Sequence, residues 1–285
     1  LVQKGYEVMI LSRQHREGNG PISHATWNPD TGQIDAAALR SCDAVIHLAG
    51  ANVAEKRWTS KRKAAIRDSR VKSSRLLADT LRQDNGLVQI VISSSAIGWY
   101  GPDKAGTPPF TEEAPAYADF LGQTCREWEK EIQPVTAVGI RLCILRTGIV
   151  LSNEGGALVA FRQPMKFGVA AVIGSGSQMI SWIHVDDLCR MFIFALEERG
   201  LAGVFNAVAP QPVSNAALTV MLAKLLRGKM FISMPVPAFV LQMVMGEMSI
   251  EVLKSTTVSA AKIQAAGFRF LFPSAAAALN ELTGA

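Results

Sequence analysis

The chain has 285 residues, 49% of them hydrophobic and 19% charged, with a formal net charge of +5. That balance supplies a substantial buried core and excludes a disordered chain; a mildly basic total suits an anionic ligand without calling for nucleic acid. The longest apolar stretch, residues 236–245, is broken by Gln242 and is too short to span a bilayer.

Residues 1–5 read as the last turn of a helix, and Tyr6-Glu-Val-Met-Ile-Leu-Ser12 as a buried strand with Arg13 directly after it. A strand followed at once by a basic residue matches the second strand of a dinucleotide-binding βαβ unit. No Gly-x-Gly-x-x-Gly run occurs in the chain. A start lacking about 20 residues, one strand, a Gly-rich turn and most of a helix, is therefore expected. Residues 25–27 form a short strand closed by the turn Asn28-Pro-Asp-Thr-Gly32. Asp43-Ala-Val-Ile-His-Leu-Ala-Gly50 is an apolar strand ending in small residues. Thr59 is an N-cap for a helix running to about residue 81. Residues 87–93 and 137–146 are further apolar strands, separated by a helix over 119–132 that stops before Pro134.

Doubly apolar strands alternating with helices predict an α/β, Rossmann-like doubly wound parallel sheet covered on both faces. Residues 6–11, 43–47, 87–93 and 137–146 are expected in one such sheet. Beyond residue 151 the pattern loosens into helices over 155–167, 186–198 and 214–226, a short strand over 204–208 and a Met-rich helical tail. The expected division is a dinucleotide-binding domain over 1–151 and a smaller, mostly helical substrate region over 152–285 that partly returns to the first.

Cys42, Cys125, Cys143 and Cys189 show no Cys-x-x-Cys pair and no ligand spacing, so reduced cysteines of a cytoplasmic protein are expected, with no metal. Arg57, Lys61, Arg62, Lys63, Arg67, Arg70, Lys72 and Arg75 crowd one helix. No aromatic platform is interleaved, and Ala64, Ala65, Val71, Leu76 and Leu77 supply an apolar stripe. This reads as a solvated face, with Arg70 a candidate for an anionic ligand, and not as a nucleic-acid surface.

Arg13 discriminates between cofactors. An acidic residue at the end of the second strand binds the ribose hydroxyls of NAD, whereas a basic one pairs with the 2′-phosphate of NADP. Arg13, with the hydroxyl of Ser12 beside it, points to NADP; the competing reading is a solvated loop arginine. Leu48, Ala49 and Gly50 would pass the adenine side, Gly50 allowing close backbone approach. Thr147 and Gly148 would approach the nicotinamide side.

Four motifs then fall in a familiar order: Leu48-Ala-Gly50, Ser93-Ser-Ser-Ala-Ile-Gly-Trp-Tyr-Gly101, Arg146-Thr-Gly-Ile-Val-Leu151 and Trp182-Ile-His-Val-Asp-Asp187. This order resembles the extended short-chain dehydrogenase/reductase superfamily. Arg57-Trp58, Ser69-Arg70-Val71, Gly174-Ser-Gly-Ser-Gln178 and the tail from Met234-Pro-Val-Pro-Ala238 to Ala266-Gly-Phe-Arg-Phe270 narrow the resemblance to its atypical 39U branch of epimerase-family proteins, which has its own C-terminal domain. The resemblance implies NADP contacts at Ser12, Arg13, Leu48, Ala49, Gly50, Ser93, Arg146, Thr147 and Gly148, and a small-molecule substrate. In the wider superfamily a Tyr-x-x-x-Lys pair moves the proton while nicotinamide moves the hydride. Counting back from Glu129 puts Leu121 and Cys125 at those positions, and neither can do that work.

Three residues are candidate replacements. Tyr100, just beyond the Ser-rich strand end, could serve as a surrogate acid/base or substrate contact with Ser94 or Ser95 as hydrogen-bond partner, or be a loop aromatic packed on the sheet edge, the commoner fate of Tyr beside Trp in a turn. His184 beside Asp186 could be a tuned base, although Asp186 and Asp187 more simply cap a helix. His47 lies inside an apolar strand and reads as a core histidine, while His15 and His24 lie in a polar loop and carry no assignment. Two functions follow: an NADP-linked oxidoreductase or nucleotide-sugar epimerase with atypical acid/base residues, or a non-catalytic NADP-binding regulatory protein of the kind labelled cell-division factors.

Overall fold

The computed structural model describes residues 1–14 and 16–284; His15 lies outside the described residues. A single 3-10 turn at Val2–Lys4 ends at Gly5, whose φ of 84° is the left-handed conformation that glycine tolerates. The elements then alternate as β1 (Val8–Ser12), β2 (Ile22–Asn28), β3 (Gln33–Ile34), α1 (Ala36–Arg40), β4 (Ala44–His47), α2 (Ser60–Gln83), β5 (Ile90–Ala96), α3 (Phe120–Ile132) and β6 (Arg141–Thr147). The second half holds β7 (Ile149–Leu151), α4 (Ala157–Met165), β8 (Val169–Ile173), β9 (Met179–Ile180), β10 (Trp182–His184), α5 (Val185–Glu197), β11 (Gly203–Ala207), β12 (Val213–Ser214) and α6 (Asn215–Arg227). It closes with β13 (Ile232–Val236), α7 (Ala238–Met245), α8 (Ser249–Leu253), α9 (Ala261–Ala265) and α10 (Ala275–Thr283).

The main sheet has the order β11-β6-β5-β4, all parallel, with Ile92 opposite Cys143 and Leu145 opposite Phe205. Alternation along each strand sends side chains to two cores. Val91, Leu142 and Ile144 pack with Leu77 and Leu81 of α2 and Ile132 of α3. Ile90, Ile92, Cys143 and Leu145 pack on the opposite face with Met191 of α5, Ile263 of α9 and Phe268. Covering both faces explains why these strands read as unbroken apolar runs. Thr59 caps α2 by accepting the Arg62 amide, as its residue type predicts.

One expectation is corrected. The segment from Tyr6 onward forms β1, but β1 pairs in parallel with β2, and no ladder joins it to β4, β5 or β6 among the described residues. In the doubly wound order 3-2-1-4-5-6 the second and fourth positions are not neighbours. β1–β2 pairing, with β1 and β4 not adjacent, is compatible with that order.

A second lobe is built around the parallel pair β8–β13, with α6 and α10 sharing a core of Leu158, Trp182, Leu218, Leu222 and Leu279. From this half of the chain β11 crosses back to pair with β6, residue Phe205 lying opposite Leu145. Among the described residues no helix is long and apolar enough to cross a membrane.

Candidate functional site: the groove at the strand ends

The carboxyl ends of parallel strands are where ligands of such sheets bind. At the β1–β2–β4 side a groove of about 390 Å³ opens, lined by Arg13, Trp27, Asp30, Gly50, Ser69 and Lys72 among others. Arg13 is exposed there and forms no ion pair among the described residues. Lys72 lies 3.5 Å from Asp30 and 3.4 Å from Asp68. The groove therefore carries cationic donors and carboxylate acceptors together. Ser12 lies outside the lining and spends its hydroxyl on the Gln14 carbonyl, 2.5 Å away.

Ala49 and Gly50 line this groove; Leu48 does not and stands 63% exposed. Gly50 is closely approached by a side chain. A Cβ there would sit 3.0 Å from the Arg70 guanidinium carbon, which lies against the turn. Gly148 is similarly confined: a Cβ would meet the Ser181 carbonyl at 2.6 Å and Val208 at 2.8 Å. Thr147 is half-buried at the end of β6, opposite Ala96. Ser94 is half-buried on β5, and its hydroxyl makes no hydrogen bond among the described residues. Ser93 is buried instead, 3.3 Å from Nδ1 of His47, so it belongs to the core and not to the groove. His47 is sealed between Ser93, Ser73 (3.0 Å), Trp27 and Trp128, and burial lowers its pKa to about 4.

Tyr100, Arg146 and His184, expected at the site, are buried side chains. Tyr100 does not face a cleft. Its ring is fully buried and stacked on Phe110 at 5.2 Å; its hydroxyl donates to Asn206 Oδ1 at 2.7 Å and accepts from Arg146 at 3.0 Å. Burial pushes its pKa up to about 12, against the lowering effect of Arg146. A sealed phenol that holds its proton this tightly cannot serve as an acid/base for a ligand. Arg146 is 2% exposed, bidentate to Glu129 at 2.8 and 2.9 Å, and lies 3.6 Å over Trp99. Its hydrogen bonds run to Glu129, Tyr100 and the Glu112 carbonyl. His184 is 1% exposed and caps α5 itself, its Nδ1 accepting the Asp186 amide. Its Nε2 bonds Glu281 at 2.9 Å. Both aspartates fall in the first turn of α5 as expected, but Asp187 turns inward to accept the amides of Leu271 and Phe272 at 2.9 Å each.

Leu121 and Cys125 occupy the usual Tyr and Lys positions. Leu121 packs against Gly98, and Cys125 is buried with its thiol aimed at the Ala96 carbonyl, 3.7 Å away. Burial pushes that thiol up to about 12, so it is neutral and unreactive at ordinary pH.

Sequence reasoning missed two clusters. Ser95, Glu129, Arg146, Tyr100, Asn206 and Glu112 form one continuous buried network, Ser95 donating to Glu129 at 2.6 Å and the Asn206 amide to Glu112 at 2.8 Å. An arginine inside the otherwise apolar strand Leu142-Cys-Ile-Leu-Arg146 was the available signal, because a buried cation requires an acid. The second cluster is Lys254, whose side chain is 8% exposed and lies 3.3 Å from Asp119 and 2.6 Å from Glu251. Burial raises the Glu251 pKa, against Lys254. Nothing local in the sequence joins residue 119 to residue 254.

Comparison with known proteins agrees with this architecture. Residues 1–207 match the NAD dependent epimerase/dehydratase family, and 236–282 match a domain of unknown function, DUF1731. The chain is 35% identical over 284 residues to the epimerase family protein YfhF of Bacillus subtilis, covering 99% of this chain and 91% of that protein. It is 33% identical to epimerase family protein ML0860 of Mycobacterium leprae over 86% of this chain and 78% of that protein. The chain thus belongs to the NAD dependent epimerase/dehydratase family. Within it, the crystal structure of human epimerase family protein SDR39U1 with NADPH superposes with a TM-score of 0.88 at 29% identity, over 100% of this chain and 93% of that one. UDP-glucuronic acid 4-epimerase from Bacillus cereus, at 17% identity and a TM-score of 0.78 over 99% of this chain and 91% of that one, shares the fold.

Proposed function

We propose that this protein binds NADP(H) in the groove at the ends of β1, β2 and β4, and that it does so without the usual tyrosine–lysine proton relay. The observation that carries the first part is Arg13, an exposed cation with no ion pair among the described residues, in the same groove as Lys72. The residues fit the group: cations for a 2′-phosphate, the Asp30 and Asp68 carboxylates for an exocyclic amine, and a Gly50 turn without a side chain of its own. The NADPH in the SDR39U1 crystal structure supports the same choice. Thr147, Gly148 and Ser94 are the groups at the far strand ends that a nicotinamide would pass. When bound, that ring supplies or accepts a hydride.

We assign the cofactor role to residues 1–151 and a substrate role to the region after 152, with β11 returning. The free cysteines Cys42, Cys125, Cys143 and Cys189 fit a reducing, cytoplasmic setting. Burial of Tyr100 and the side chains at 121 and 125 favour the non-catalytic, cofactor-binding reading. Turnover as an oxidoreductase or nucleotide-sugar epimerase has one observation in its favour, the Asp119–Lys254–Glu251 cluster beside the start of α3, the helix that carries the family's proton relay. Titrating NADPH and NADH against the wild type and Arg13→Asp tests the cofactor choice. A preference for NADPH that is lost in the variant is expected; equal preference in both proteins would refute it.

A further inference from the structure

The net charge of the chain sits on its second lobe. Residues 155–185 and 202–246 contain no aspartate or glutamate and five cations, Arg162, Lys166, Lys224, Arg227 and Lys229. The whole chain has 29 basic and 24 acidic residues, so the rest of it is electrically balanced. None of the five cations forms an ion pair among the described residues. Arg162 donates to Asn153 and the Leu282 carbonyl, and Arg227 to the carbonyls of Met165 and Lys166. Lys166, Lys224 and Lys229 stand exposed. The acids on neighbouring elements are committed elsewhere, Glu247 to Lys63 and Glu281 to His184.

The same lobe leaves large apolar side chains in water. By register, Ile232 and Met234 of β13 share a sheet face with Val169 and Ala171 of β8, and no polar side chain interrupts that face. Ile232 is 70% exposed and Met234 51%. Two turns lie side by side at the start of this strand pair. They are joined by Arg227 Nε on the Met165 carbonyl and by the Ile232 amide on the Gly168 carbonyl, each at 2.9 Å. From them project Phe167, 86% exposed, and Met230, 81% exposed. Single exposed apolar residues are ordinary, but a cluster of them beside unpaired cations marks a contact surface.

Charge and the strand edge select what covers it. The Ile232 amide and the Val236 carbonyl bond back toward the β8 side, so residues 233 and 235 face the open edge of β13. Residue 235 is a proline without an N–H, which leaves any added strand one donor short. A second copy in an isologous contact would set these cations against the same cations. A lipid surface with anionic headgroups satisfies both features. Its acyl boundary takes the apolar side chains, and its phosphates take the lysines, whose stems lie along apolar surface.

We propose that the turn end of the β8–β13 pair docks on an anionic lipid surface. Phe167, Met230, Ile232 and Met234 enter the headgroup boundary, and Lys166, Lys224, Arg227 and Lys229 meet the phosphates. The contact is from one side, since among the described residues no helix is long and apolar enough to cross a membrane. It does not depend on the nucleotide reading, because the groove of Arg13, Trp27 and Gly50 takes no lining residue from this lobe.

The test is flotation of the full chain with vesicles of phosphatidylcholine alone and of phosphatidylcholine mixed with phosphatidylglycerol. Wild type should bind the mixed vesicles and not the neutral ones. It should leave them as ionic strength rises from about 0.1 to 1 M, where the screening length falls from about 10 to 3 Å. Two double variants separate the terms, Phe167→Ser with Met230→Ser and Lys166→Glu with Lys229→Glu. Each changes only exposed side chains, so both should keep the wild-type Tm, and each should weaken vesicle binding about tenfold or more. Failure of wild type to bind the mixed vesicles, equal binding to neutral ones, or variants that bind as wild type does would overturn the proposal. A dimer in light scattering that the Phe167→Ser, Met230→Ser variant dissolves, with no capture by vesicles, would also overturn it and assign the face to a second copy.

Discussion

Replacing Tyr100 by Phe separates a structural phenol from a catalytic one. The ring keeps its place, fully buried and stacked on Phe110. The hydroxyl takes two hydrogen bonds with it, one to the neutral Asn206 and one from the charged Arg146. A neutral bond contributes about 1 kcal/mol and one to a charged group about 1.5–3 kcal/mol. Both partners keep other bonds: Asn206 Nδ2 holds the Ser259 carbonyl, and Arg146 Nη1 holds the Glu112 carbonyl. That retention brings the expected loss to about 2 kcal/mol, or about 4 °C in Tm for a chain of this size. Calorimetry on both proteins measures it. NADPH affinity should be unchanged. An unaltered Tm with turnover reduced about a hundredfold, the size of a general acid/base contribution, would refute the structural assignment.

The same phenol limits alkaline stability. Its folded pKa of about 12 lies above the ordinary 10.0, so its contribution is complete below pH 10 and is lost as pH rises toward 12. Urea titrations at pH 8 and pH 11 should show that loss, smaller in Tyr100→Phe. His47 sets the acid limit, since its pKa falls from 6.5 to about 4 on burial. Stability should be complete above pH 6.5 and drop by about 3 kcal/mol on acidification through pH 4, a limb that His47→Gln should lack in the same titrations. Glu129→Gln leaves Arg146 charged, buried and without its acid, and should cost about 3–5 kcal/mol by chemical unfolding. Gly148→Ala drives a methyl to 2.6 Å from the Ser181 carbonyl and should lower Tm by several degrees, about 1–3 kcal/mol of overpacking.

Much of the fold was legible because the main-sheet strands are buried on both faces. Val91 and Ile92 serve opposite cores, so the apolar run at β5 has no polar interruption until Ser93. The N-cap at Thr59 and the stop at Ile132 before Pro134 were equally local signals. The site was less legible for a physical reason. The side chains of Tyr100 and Arg146 sit at positions where a ligand contact is plausible, and only packing decides which way they point. A strand end offers alternate residues to opposite faces, so Ser93 is sealed against His47 while Ser94 is half-open one residue on. Cysteine at 125 and leucine at 121 could be read as losses from the sequence, but the Asp119–Lys254–Glu251 cluster required the tail to fold back across the start of α3.

Arg146 and Arg70 show how differently two desolvated arginines are compensated inside one protein. Both are removed from bulk water, both lie near a tryptophan ring, at 3.6 and 5.0 Å, and both donate to backbone carbonyls. Desolvation acts against both cations. At Arg146 the bonded carboxylate of Glu129 outweighs burial and the pKa rises; at Arg70 nothing inside the chain does, and it falls. Removing the acid from the first should therefore destabilise the protein whether or not a ligand is present. Removing the cation from the second leaves no carboxylate unpaired among the described residues and should cost less. Chemical unfolding of Glu129→Gln and Arg70→Met reads that difference directly: a loss of about 3–5 kcal/mol in the first and a smaller one in the second is expected, and equal losses would refute the distinction.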